Sequence, residues 1–76
     1  MKLHDLGIKI KEFRKEKGYT QEELARLSGI SRVTMGKIER GEVASISLKT
    51  FDLIVANLGY EIDLKSVNNF GLDNLL

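Results

Sequence analysis

Residues 18–42 read GYTQEELARLSGISRVTMGKIERGE, two short helical segments with a stop between them. Thr20-x-x-Glu23 is the signature of a capping box, in which hydroxyl and carboxylate each take a backbone N–H left free at a helix start. Leu24 and Leu27 share a face behind that cap, with the small Ala25 beside them. Gly29 is the residue type that lets a helix end with a positive φ. Ser31 then caps a second segment that runs to about Arg40 and stops at Gly41, with Met35 and Ile38 as its inward pair at i, i+3. Ser28-Gly29-Ile30-Ser31 is too short a link for an antiparallel hairpin, so the two axes must cross steeply.

Both flanks extend the helical pattern. Leu6, Ile10 and Phe13 fall at i, i+4, i+7 and predict a helix from about Leu6 to Lys17, stopped by Gly18. Ser47 predicts the cap of a helix from Leu48 to Leu58, with Leu48, Phe51, Ile54, Val55 and Leu58 facing in and Gly59 as the stop. Tyr60-Glu61-Ile62-Asp63-Leu64 then alternates apolar and acidic residues, the period of a half-buried strand. The remainder, 65–76, reads as irregular yet carries Val67, Phe70, Leu72, Leu75 and Leu76. The expected organisation is one unit over 1–64 and an apolar tail over 65–76.

The chain has 76 residues and a formal net charge of +1. A domain this small buries only about 60% of its unfolded surface, which leaves little room for an enclosed substrate cleft. Charge is uneven: residues 1–41 hold ten Lys/Arg and six Asp/Glu, residues 42–76 two and five. A basic front and an acidic back suit two faces with different partners, although such charges also occur on any solvated surface. There is no cysteine, so no disulfide or thiolate metal site is expected, and a cytoplasmic location is the expectation. No apolar run is long enough to span a membrane. The single histidine, His4, reads as a surface residue, and no ligand cluster or phosphate-binding loop accompanies it. Neither catalysis nor a cofactor is expected.

Two capped helices meeting across a short glycine turn form a helix-turn-helix. Thr20-Gln21-x-Glu23-Leu24-Ala25, Gly29-Ile30-Ser31, Ile38-Glu39-Arg40-Gly41 and Ser47-Leu48-Lys49-Thr50 resemble the phage repressor and Cro (Xre) family over about Leu6 to Gly59. The resemblance implies a mainly α, lambda-repressor-like bundle of four helices and a repressor of transcription that binds double-stranded DNA. It further implies that Gln21 and Ser31 hold phosphates, that Arg32, Val33 and Lys37 meet base edges, and that Thr34 and Arg40 approach the flanking backbone. Arg14 and Glu39 match a buried pair of some phage repressors, or are two unrelated surface charges. Gly36 is out of place in a helix interior, where it costs about 0.8–1.0 kcal/mol relative to Ala. It either lets the helix sit deep in a groove or relieves crowding against another helix.

A lone strand leaves its ladder groups unpaired, so the strand over 60–64 predicts a homodimer through Tyr60, Ile62 and Leu64. Leu53, on the helix face away from the apolar stripe, adds to it. A dimer presents two recognition helices roughly 34–36 Å apart and reads a palindromic operator. A fourth helix ending in Leu-Gly, an alternating strand and a short tail look like HipB-type antitoxins, which implies an autoregulating repressor with a HipA-like kinase toxin as partner. The tail residues Phe70, Leu72, Leu75 and Leu76 then form either a partner-binding peptide or a further dimer contact. The alternatives are a stand-alone Xre-type regulator and a protein-binding adaptor.

Overall fold

The computed structural model describes residues 2–67. Among them stand four helices: α1 (Leu3–Lys17), α2 (Gln21–Leu27), α3 (Arg32–Glu39) and α4 (Leu48–Asn57). Three of the starts are set by hydroxyl caps. Thr20 accepts from the Glu23 N–H at 3.0 Å while Glu23 accepts from the Thr20 N–H at 2.9 Å. Ser31 and Ser47 each accept from the N–H three residues on, Thr34 and Thr50, at 3.0 Å. Such caps satisfy donors that no helical carbonyl reaches, typically for about 1 kcal/mol each. α1 has no side-chain cap and begins at Leu3, three residues before the apolar stripe does.

The turn between α2 and α3 closes as a left-handed glycine motif. Gly29 sits at φ 71°, its N–H donates to the Arg26 carbonyl, and the Ile30 N–H returns to the Ala25 carbonyl. Any residue with a Cβ is strained there. Gly18, Gly41 and Gly59 end the other three helices with positive φ as well. Glycine, not proline, makes every one of these turns.

The core is small and lies where the helices converge. Ile10 of α1, Leu24 of α2, Met35 and Ile38 of α3, and Ile54 and Leu58 at the end of α4 are its fully buried large side chains. Each is worth roughly 1.5–3 kcal/mol of transfer free energy. Ala25 lets α3 approach α2, and Val43, on the loop after α3, closes the side. Gly7 was not foreseen as a packing residue, yet it is buried. A Cβ on it would lie 2.5 Å from the Ile38 carbonyl oxygen, 2.8 Å from that of Glu39 and 2.8 Å from the Gly41 nitrogen. α1 therefore rests backbone to backbone on the end of α3.

Two expectations about burial need correction, and a third, the strand expected to pair with a second copy, is not seen in the single chain. Leu48, expected to face in, is 73% exposed, because the first residue of α4 overhangs the core. Leu27 is 44% exposed: α2 is only seven residues long, and its last turn projects past the contact with α3. The strand over 60–64 does not form within the single chain. Tyr60 N–H returns to the Val55 carbonyl, and residues 61–67 show no backbone pairing among the described residues. The alternation there has another local use. Tyr60 stacks on Phe13 with ring centroids 4.2 Å apart. Ile62 and Leu64 line an apolar groove of about 390 Å³ with Leu3, Leu6, Val43, Ile46, Leu48 and Phe51. Phe70, Leu72, Leu75 and Leu76 lie outside the described residues. No helix among the described residues is long and apolar enough to cross a membrane.

Candidate nucleic-acid interface

α3 has two unlike faces. Met35 and Ile38 are buried completely, and Glu39 turns inward beside them. Arg32, Val33 and Lys37 point the other way and are exposed, Val33 at 58%. Arg40, which ends the helix, is exposed too. Burial of one face fixes the helix about its own axis, so the outward side chains hold a constant direction. Two guanidinium groups, an ammonium group, an apolar branched side chain and the cap hydroxyls together form a surface that can grip phosphate oxygens and base edges.

Beneath that surface a charged network joins three helices. Arg14 of α1 donates from Nε to Glu39 Oε2 at 2.6 Å and from Nη2 to Oε1 at 3.1 Å, the two-pronged geometry guanidinium and carboxylate favour. Arg14 Nη1 also donates to the Tyr19 carbonyl at 2.8 Å. The pair is buried, with side chains 10% and 3% exposed. The other reading of Arg14 and Glu39, two unrelated surface charges, does not describe this geometry. Among the described residues no buried side-chain polar atom lacks a partner.

The network reaches Gln21, whose Nε2 donates to Glu39 Oε1 at 3.1 Å. That bond was not foreseen, since the partners are 18 residues apart. It fixes the orientation of the amide: nitrogen toward Glu39, oxygen Oε1 toward α3, 4.0 Å from where a Cβ on Gly36 would stand. One N–H of the amide remains uncommitted. Ser31 is committed in a similar way. It accepts from the Thr34 N–H and donates to Thr34 Oγ1 at 2.9 Å, so the free hydroxyl proton at this helix start is that of Thr34.

Two neighbours modify the field. Glu42 sits 3.3 Å from the Arg40 Nε as an exposed pair that a stronger anion can displace. Its signal was the short spacing across Gly41. Arg26 and Arg32 flank a shallow cleft of about 440 Å³ between α2 and α3, floored by Ala25 and Ile30. Arg26 was missed because its position on α2 carries no pattern of its own. Glu23 is spent on the cap: the Thr20 N–H, then the Thr20 hydroxyl, hold its carboxyl below the usual range. Leu53, Tyr60, Ile62 and Leu64 are exposed, with Leu64 at 94%, and stand on the α4 and C-terminal side of the fold. His4 is exposed and packs against Gly41. Among the described residues no group of three or more His, Cys, Asp or Glu side chains could hold a metal ion.

The family model HTH_3, Helix-turn-helix, matches residues 10–65. The chain is similar to the HTH-type transcriptional regulator SinR of Bacillus subtilis, 33% identical over 57 residues, 75% of this chain and 51% of that protein. It spans about half the length of the curated relatives it matches. Among solved structures it is similar to the restriction-modification controller protein C.AhdI from Aeromonas hydrophila. There the identity is 37% and the TM-score 0.70, over 78% of this chain and 84% of that one. It is also similar to the biofilm regulator SinR solved in complex with DNA, at 35% identity and TM-score 0.63, over 71% and 86% of the two chains.

Proposed function

The chain belongs to the Helix-turn-helix family HTH_3, and on that premise we propose that it is a sequence-specific regulator of transcription that represses by binding double-stranded DNA. The observation that carries this reading is the outward face of α3. Arg32, Val33 and Lys37 are exposed on a helix whose other face is locked by Met35, Ile38 and Glu39. In this reading α3 enters the major groove. Arg32 and Lys37 take base acceptors, Val33 packs on a thymine methyl, and the Ser31–Thr34 cap, Gln21 and Arg40 hold the flanking phosphates.

The working form is a homodimer on a palindromic site, with Leu53, Tyr60, Ile62 and Leu64 as the contact. Their exposure and the unpaired backbone of residues 61–67 support it. Residues 1–64 are the DNA-binding unit. A stand-alone regulator is favoured over an antitoxin. SinR is named a transcriptional regulator and C.AhdI a controller, while the antitoxin reading leans on a strand the single chain does not form.

The test is selection of bound duplexes from a random-sequence library, followed by titration at several salt concentrations. A palindromic consensus and a steep fall of affinity with salt are expected. Failure to enrich any sequence would leave the adaptor reading in its place.

A further inference from the structure

The four arginines divide into two kinds. Arg14 and Arg40 have carboxylate partners, Glu39 and Glu42. Arg26 and Arg32 are exposed, and among the described residues neither forms an ion pair. Even Glu22, one helical turn before Arg26, does not pair with it. Both of these guanidinium groups border the same cleft of about 440 Å³ between α2 and α3. Its floor is apolar: Ala25, 2% exposed, and Ile30, packed on the core. The Ile30 N–H donates to the Ala25 carbonyl at 3.0 Å, so the fold holds that floor in place before anything binds. Glu22 is the one carboxylate on the rim among the described residues.

Small-molecule sites span about 300–1,000 Å³ and set a few polar groups around an apolar surface, and this cleft has both features. A guanidinium donates and never accepts, and its fork matches a carboxylate. Its flat face also stacks on aromatic rings. The cleft is shallow, so a flat body covers its floor better than a bulky one. We propose that the cleft binds a small aromatic carboxylate, its ring on Ala25 and Ile30 and its carboxylate on Arg26 and Arg32. Glu22 on the rim repels a second negative charge and so selects a monoanion. Arg32 is also the base-reading arginine of the DNA-binding reading above, and the consequence of occupancy rests on that reading. A guanidinium drawn back to the cleft is withdrawn from the groove, and the bound carboxylate stands among groups that would otherwise face phosphates. Ligand and DNA therefore compete for one side chain, and the ligand releases the chain from its site.

Benzoate is the probe, with benzyl alcohol and acetate as controls that carry the ring and the carboxylate separately. A nuclear magnetic resonance titration of the isotope-labelled chain needs no DNA. The amide resonances of Ala25, Arg26, Ile30 and Arg32 should shift saturably with benzoate and not with either control at equal concentration and ionic strength. A duplex selected from a random library is then titrated at constant ionic strength, since added salt alone weakens binding. With benzoate at about four times its own Kd, about a fifth of the chain stays competent, and the apparent Kd for the duplex should rise about fivefold. In Arg26→Gln the ratio of duplex Kd with benzoate to that without it should fall to about one. Four results overturn the proposal: no shift at the cleft amides, equal shifts with acetate or benzyl alcohol, benzoate binding that leaves the duplex Kd unchanged, or a full benzoate effect in Arg26→Gln. A wild-type chain that bound no duplex would remove the DNA reading and the competition with it. The amide titration would still decide whether the cleft takes a carboxylate.

Discussion

Replacing Glu39 with Ala should remove a large share of the protein's stability. The carboxylate accepts three hydrogen bonds, two from Arg14 and one from Gln21, and its side chain is 3% exposed. Removing it leaves the Arg14 guanidinium buried with only the Tyr19 carbonyl as partner. An uncompensated charge of this kind costs about 3–5 kcal/mol. The whole domain has about 4–11 kcal/mol of stability at 0.05–0.15 kcal/mol per residue. Urea unfolding followed by circular dichroism reads the change. With a slope of about 1 kcal/mol/M for so small a chain, a loss of 3 kcal/mol moves the midpoint down by about 3 M. Arg14→Met should cost a similar amount, because it strands the carboxylate instead. The double variant Arg14→Met/Glu39→Leu replaces both charges by apolar groups and should recover most of the loss. Each helix would then keep its packing without an orphaned ion. The reasoning is refuted if either single variant costs under about 1 kcal/mol, or if the double variant loses the sum of the two.

Gly7→Ala should destabilise by about 1–3 kcal/mol despite its better helix propensity, because the new methyl group collides with the Ile38 and Glu39 carbonyls; thermal melts read it, and a gain in stability would contradict the backbone contact. Arg32→Ala should weaken binding to a selected duplex by about 1–3 kcal/mol and relax preference at one base pair per half-site, whereas Gln21→Ala should weaken all duplexes about equally. A selection repeated with each variant separates the two. Ile62→Asp should turn a dimer into a monomer in sedimentation while helix content persists, and an unchanged dimer would place the interface elsewhere.

What the sequence made legible is local in origin. Thr20, Ser31 and Ser47 bond to atoms three residues away, and the glycines act on their own φ, so caps and stops can be read from neighbours alone. Met35 and Ile38 were legible because inward spacing survives even in an eight-residue helix. Leu27 and Leu48 misled for the converse reason: periodicity names a face but not where along the helix the neighbour stops. Gly7 carried no signal of its own, since close approach is a property of the helix opposite. The outward residues of α3 followed from the resemblance and the cap. The Gln21–Glu39 bond did not, because it depends on rotamers that only the assembled helices select. The alternation over 60–64 is genuine, but a strand is a property of two segments, and the single chain supplies one.

The use of glycine at every helix stop bears on how fast the protein reaches its structure. The 76 residues contain no proline. The slow isomerisation that proline imposes on an unfolded chain, tens of seconds at room temperature, therefore has no place to occur. Glycine motifs impose no such wait: each closes within one helical turn, between atoms already adjacent in sequence. Recovery of the α3 surface is then free of any proline-limited phase.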